Sequence, residues 1–429
     1  ANIPEENLYN DGVDTFITGE DPNNYIWYSG KLWRAVSVNN VAKTTKLVTQ
    51  WNISTIPYDD DSSAFEGSYM KDWLNDTTVD GFLGNLRDYE NFIETDSVWN
   101  ATETTETTKP AETTMVTTPV GLLNIYEYTM SYSGTDYSNG YLNNGLNWWL
   151  ITPYNLSDIW HVANIGESRN GVSTITPGIR PSINLKSSIK IAAGDGTIDN
   201  PYRLSGDNDT NLSGTLLSSR YSGEYIRFGN DENNLYRIVS HESGRGTKIV
   251  SAEPLKNSGE FIKSLFGNNT TFSSGNIIGE FLNVDYLTNY VDSIYVDMIE
   301  DSSTWYLGTV GNGESYKLAK YTDTNMSSIT SSTTSAKVGL LRLGELMSGQ
   351  FERRTVKNGS SSTGLTISYW TITPNNSLYV NGVRDFCNVG ADSLSISAGI
   401  RPSINLKSNV VITGGDGTKN RPFTIELAS

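Results

Sequence analysis

Sulfur, histidine and positive charge are scarce in this 429-residue chain. The single cysteine, Cys387, excludes an intrachain disulfide and any zinc site of the multi-cysteine kind. Only two histidines, His161 and His241, are available for acid–base work. Lys and Arg number 31 against 48 Asp and Glu, giving a formal net charge of -17 and a pI near 4.6. Nucleic acid binding needs phosphate-neutralising cations in surplus, so we set it aside. The acidic surface favours solubility and resists anionic membranes. No apolar run reaches about 18 residues, so no transmembrane helix is expected. The opening residues "ANIPEENLYNDG" lack the pattern of a signal peptide. We read them as a chain that begins after a processed leader or a trimmed anchor. Bacterial surface proteins often lack disulfides, so an extracellular location stays open.

What is present is aromatic and turn-forming. Ten Trp and 24 Tyr can fill a core, which argues against a disordered chain. Abundant Ser, Thr, Asn and Gly with few long aliphatic runs predict many short strands and loops. The length predicts two or three domains.

One decapeptide, "GIRPSINLKS", occurs at 178–187 and again at 399–408. It anchors a longer internal alignment. "NWWLITP" before the first copy matches "SYWTITP" before the second, pairing Trp149 with Trp370, Thr152 with Thr373 and Pro153 with Pro374. Further back, "VGLLNIYEY" pairs with "VGLLRLGEL", "SVWNATE" with "STWYLGT" and "MKDWLND" with "IIGEFLN". Near the starts, "YIWYSGKLWRAVSV" pairs with "YIRFGNDENNLYRIVSH", which has a longer turn. Duplication at this scale means two tandem domains, expected at 1–206 and 207–429, rather than a solenoid of short repeats. The polar stretch "SGDNDTN" marks the junction.

Within each copy, "YIWYSG", "KLWRAVSV" and "KLVTQWN" read as a β-meander. "SYMKDWLNDTTVDGFLGNLRDYENFI" and "SGNIIGEFLNVDYLTNYVDSI" carry helical spacing. "VGLL" reads as a short buried strand running into a helical turn. "WWLITP" and "YWTITP" read as strands that stop at Pro. The fold class is α+β. The Thr-rich stretch "ATETTETTKPAETTMVTTP" has a counterpart inside the second copy, so it reads as a surface loop rather than an interdomain stalk.

The order "LWRAV", "WLND", "VGLLNIYEY", "WWLITP", "GIRPSINL", repeated as "LYRIV", "FLNV", "VGLLRLGEL", "YWTITP", "GIRPSINL", resembles a bacterial domain family of unknown function. The resemblance covers most of both halves. It implies a C-type-lectin-like fold, similar to that of formylglycine-generating enzymes, in exported or surface proteins of bacteria. It supplies no activity. The family's Arg-Ser after "WWL" is Ile151-Thr152 and Ile372-Thr373 here, so no role of that Arg carries over.

The residues singled out are those of the shared motif: Arg180, Pro181 and Asn184 with Trp149, and Arg401, Pro402 and Asn405 with Trp370. In "IRPSINL" the apolar Ile179, Ile183 and Leu185 fall on one face and the polar residues on the other. Arg180 and Arg401 are expected to make internal bonds to a carboxylate or to loop carbonyls; binding of a carboxylate ligand is the competing reading. Pro181 and Pro402 suit a strand edge or a bulge. The turns "AGDGTIDNP" and "GGDGTKNRP" make Asp195 and Asp416 candidate calcium ligands, with a plain Asp-Gly turn as the alternative. The second copy replaces Asp199 by Asn420 and Asn200 by Arg421, which weakens a cation site. Cys387 reads as a small apolar filler. Trp27, Trp33, Trp148 and Trp160 are core candidates, with sugar stacking as the alternative. No catalytic set is duplicated. Together these readings predict a structural or adhesive surface protein (a filament, pilin-like or surface-layer subunit), with self-assembly or a glycan or protein on a cell surface as its expected partner. A carbohydrate-binding module is the second reading, and a formylglycine-generating-like enzyme or a phage receptor-binding protein the third.

Overall fold

The computed structural model describes residues 3–132, 135–175, 177–207, 211–241, 246–311, 332–348, 367–383 and 389–428. The chain clusters into two units: Ala1–Asp209, and Thr210–Val356 together with Gly364–Ser429. It is mixed α+β, mostly strands in several small sheets with few helices.

In the first unit, strands Tyr25–Tyr28 and Lys31–Asn39 turn on Ser29 and Gly30, both at positive φ (52° and 69°). That backbone belongs to the tight turn whose twist matches a hairpin. Thr45–Thr49 pairs antiparallel with Lys31–Asn39, and Ser182–Leu185, from the shared decapeptide, pairs with Thr45–Thr49. Tyr202–Leu204 closes the unit by lying parallel to Tyr25–Tyr28. The second unit repeats this order. Tyr225–Arg227, Leu235–His241, Thr247–Ser251 and Ser403–Asn405 are neighbours in one sheet. Phe423 bridges Ile226 in parallel. Both units even share a register break, between Ala35 and Ser37 and between Ile238 and Ser240. A bulge of this kind bends a strand locally.

The helix Tyr69–Asn75 starts because the Ser68 hydroxyl accepts from the Lys71 N–H at 3.1 Å. Its buried residues Met70, Trp73 and Leu74 lie three and four apart, on one face. In the second unit, Ile277–Glu280 passes through a π-turn at Phe281–Asp285 into Tyr286–Asn289. Asn75 and Asn283 then do the same task. Asn75 donates to Lys71 and Val120 carbonyls and accepts from the Val120 N–H. Asn283 bonds Gly279 and Val338 likewise. "WLN" therefore registers on "FLN", one residue along from the block pairing of "MKDWLND" with "IIGEFLN".

A smaller sheet in each unit carries the strand that stops at Pro: Trp148–Pro153 beside Asp158–Val162, and Tyr369–Pro374 beside Tyr379–Val383. The Thr-rich stretch is not wholly a loop. Met115–Thr117 pairs with Val98–Asn100, because Val116 and its cross-strand partner Trp99 are both buried. Thr333–Ala336 pairs with Ser303–Tyr306 in the second unit; residues 312–331 lie outside the described residues. No helix among the described residues is long and apolar enough to cross a membrane.

Candidate functional site

The shared decapeptide is buried on both faces. Ile179, Arg180, Ser182 and Ile183 are each 0% exposed. At Arg180 and Ser182 its polar face does not meet solvent, contrary to what alternation alone suggests, because backbone carbonyls cover it. Arg180 Nε donates to the Thr49 carbonyl at 2.7 Å and Nη1 to the Leu142 carbonyl at 2.6 Å. Its guanidinium lies 4.5 Å over the Trp148 ring. Arg401 Nε donates to Ser251 at 3.0 Å, Nη1 to the Tyr369 hydroxyl and Nη2 to Ala252, with Tyr369 under its plane. The partners are carbonyls, a hydroxyl and aromatic faces. Burial, reinforced by the nearby Arg34 charge, pulls the Arg180 guanidinium down to about 9, so it remains charged at neutral pH. Pro181 and Pro402 each stand just ahead of the strand, and their carbonyls accept from Thr49 and Ser251. Trp149 and Trp370 are core residues, their Nε1 atoms bonded to the Ile56 and Ser264 carbonyls.

Asn184 and Asn405 occupy a different setting. Asn184 sits directly across from Lys46, and Asn405 across from Lys248. On the other side of each Lys stands a serine, Ser37 or Ser240. Lys46 pairs with Glu127, and Lys248 Nζ lies 2.5 Å from Glu345 Oε1. Each ammonium also lies over an indole, Lys46 at 4.8 Å from Trp99 and Lys248 at 5.1 Å from Trp305. Each Glu is held by its own helix start: Glu127 Oε2 accepts from the Asn124 N–H and Glu345 Oε2 from the Arg342 N–H. Burial pushes Glu345 up, but Lys248 and Arg342 outweigh it and the net shift is downward. In the first unit this row opens onto a groove of about 540 Å³ that also carries Asp14, Glu94 and Asp96. The motif search took in Asn184 and Asn405 but missed their partners. The signal was there: "TKLVT" matches "TKIVS", and Glu127 aligns with Glu345.

Asp195 and Asp416 are turn residues. Asp195 Oδ1 accepts from the Thr197 N–H and hydroxyl, and Asp416 Oδ1 from those of Thr418. Arg421 Nη2 adds an ion pair to Asp416 Oδ2 at 2.5 Å. The bonds from Thr197 lower the Asp195 carboxyl. No group of three or more His, Cys, Asp or Glu fit to hold a metal ion occurs among the described residues. His161 packs on Trp149, and His241 bonds Thr247 and the Arg220 carbonyl. Cys387 lies outside the described residues.

The four tryptophans considered for sugar stacking are buried: Trp27, Trp33, Trp148 and Trp160 are all under a tenth exposed. Tyrosines take that position instead. A groove of about 740 Å³ in the first unit is lined by Tyr9, Tyr126 and Tyr132 with Glu6, Thr107 and Thr108. Tyr9 is 49% exposed. The Tyr126 hydroxyl donates to Asp11, which Lys109 also contacts. Burial and the Asp11 charge raise Tyr126 to about 12. Comparison of the chain with protein-family models, with curated proteins and with solved structures gives no match.

Proposed function

We propose that the chain is an extracellular bacterial surface protein with a structural or adhesive role, built from two C-type-lectin-like repeats. One observation carries this reading: the polar residues the two units share are committed to bonds within their own unit. Arg180 and Arg401 hold carbonyls, and the Lys–Glu pairs and Asp-Gly turns are bonded within their own unit. What is duplicated is scaffold rather than reactive surface. An acidic, strand-rich body with variable loops suits display. Immunogold electron microscopy of native cells tests the location and assembly. Label confined to the cytoplasm would overturn the reading.

A second reading, a carbohydrate-binding surface, rests on the tyrosine groove. Aromatic faces give a sugar apolar contact, and the neighbouring carboxylate and Thr hydroxyls can hydrogen-bond its hydroxyls. A glycan array on wild-type and Tyr9→Ala, Tyr126→Ala protein tests it. Binding that survives both substitutions, or no binding to any glycan, would remove it.

A further inference from the structure

We propose that each unit closes an internal isopeptide bond, Lys46 to Asn184 in the first and Lys248 to Asn405 in the second, with Glu127 and Glu345 as the proton-transfer groups. Three residue types are brought together twice, in the same register. The Lys and Asn of each pair oppose each other on adjacent antiparallel strands. Residues so placed share a face with their Cβ atoms about 5 Å apart, within reach of a lysine arm. A glutamate already contacts each Lys nitrogen. An indole covers each nitrogen from one side. The second site is shielded, with Lys248, Glu345 and Asn405 5%, 6% and 4% exposed, respectively; in the first, Glu127 is buried while Lys46 and Asn184 are half-buried beside the groove. Asn184 is oriented by a bond from its Nδ2 to Ser97 Oγ at 3.0 Å.

The chemistry closes without a co-reactant. The reaction starts from the neutral form of the Lys–Glu pair, reached by moving one proton from the ammonium to the carboxylate it already contacts. The neutral Lys amine then attacks Cγ of the Asn side chain. A new Cγ–Nζ bond forms. The Cγ–Nδ2 bond breaks as Nδ2 takes one proton from the attacking nitrogen, and the ammonia so formed takes up the proton held by the Glu carboxyl to leave as ammonium. Lysine ammonium and asparagine amide become a secondary amide and an ammonium ion, and the glutamate ends as it began. Lys248 and Arg342 hold the Glu345 carboxyl down, so the neutral pair is the minor form and closure is slow. Proximity supplies the rest: the two groups are held on paired strands rather than meeting by diffusion. In the first unit the adjoining groove, which Lys46 and Asn184 both line, gives ammonia an exit.

The consequence is mechanical. The bond ties a strand near the start of each unit to one near its end, so the chain between cannot fully extend. A cross-link of this kind restricts the unfolded state as a disulfide does. It would do so in a chain whose one cysteine allows no intrachain disulfide. The proposal does not depend on where the protein resides.

Intact-mass spectrometry of the folded full chain, followed by peptide mapping, tests it. The expected mass is below the sequence mass by two ammonia molecules. Branched peptides should join Lys46 to Asn184 and Lys248 to Asn405. Lys248→Arg and Asn405→Ala should each restore one ammonia, and Glu345→Gln should restore one while leaving the circular dichroism spectrum native. Wild-type protein at its full sequence mass overturns the proposal, and this reading needs no variant to fold. A mass deficit without branched peptides also overturns it, since cyclisation of Asn alone loses ammonia.

Discussion

Arg180 Nε reaches the carbonyl of Thr49 at 2.7 Å, across 131 residues of chain, and Arg401 reaches Ser251 in the same way across 150. Each bond fastens the strand of the shared decapeptide to the end of the meander. Removing the guanidinium strands buried carbonyls, each worth about 1–3 kcal/mol when left unpaired. Arg180→Ala should therefore destabilise the first unit by about 3 kcal/mol, and Arg401→Ala the second by a similar amount. Hydrogen exchange read peptide by peptide checks this. Protection should fall in the altered unit and hold in the other. Arg180→Lys should recover only part of the loss, because an ammonium cannot reproduce the fork that spans Thr49 and Leu142.

Gly121 and Gly339 are required by close approach. A Cβ built on Gly121 would lie 2.3 Å from the Trp99 ring, and one on Gly339 2.5 Å from Trp305. Neither indole is free to retreat, because its Nε1 donates to the Thr118 or Ala336 carbonyl. Gly→Ala at either site should tilt the ring, break that bond and cost about 1–3 kcal/mol, the usual range for overpacking. Near-ultraviolet circular dichroism and urea unfolding read the two effects together. An unchanged urea midpoint would show that the ring can move freely.

How much was legible in the sequence follows from these same residues. The meander, the Trp–Pro strand and the motif strand stood out because hydrophobic alternation and exact repetition are local signals. The polar face of "GIRPSINL" was legible in part: internal bonding of Arg180 and Arg401 to carbonyls was expected and is found, but which carbonyls they meet was not. Alternation tells that Arg180 and Ser182 point away from Ile183, but not that the Leu142 carbonyl arrives to cover them. The Met115–Thr117 strand was hidden inside a Thr-rich composition, since its pairing to Val98–Asn100 is a tertiary fact. The Lys46–Glu127 pair joins residues 81 apart. Only the matching of Thr-Lys-Leu-Val with Thr-Lys-Ile-Val, read together with the Glu alignment, could have raised it. The tyrosine groove has no described counterpart in the second unit, so repetition could not reveal it.

Each unit carries one histidine whose folded value is lowered, His161 half-buried and His241 at the surface end of its strand, and both should make the protein acid-sensitive. Burial lowers His161, with the Arg169 charge adding to the effect. Burial also lowers His241, against a raising contribution from its bond to the Arg220 carbonyl. A histidine whose folded value lies below its unfolded value of about 6.5 binds more protons when unfolded. Its contribution is fully present above about pH 6.5 and is lost as pH falls from there toward the folded value. Urea midpoints should thus hold steady from about pH 8 to 7 and drop as pH falls below about 6.5. His161→Gln and His241→Gln should each flatten part of that drop. Stability that rises on acidification through this window would contradict the sign.

The Asp-Gly turns should be indifferent to calcium. A calcium ion takes six to eight oxygen ligands, several of them carboxylates. Asp195 offers a carboxylate already accepting two bonds from Thr197, and Asp416 has one oxygen held by Thr418 and the other by Arg421. Binding a cation at Asp416 would require displacing a guanidinium at 2.5 Å and leaving a positive charge beside the ion. Millimolar Ca²⁺, or EDTA, should leave the melting of both units unchanged. Arg421→Ala supplies the sharper measurement. It removes that ion pair and the repulsion, so if the turn geometry is otherwise fit for a cation, Ca²⁺ should now raise the melting temperature of the second unit. A rise seen already in the wild type would mean that the turns are ligand loops after all. No rise in either protein means that Thr418, rather than Arg421, commits the carboxylate to the turn.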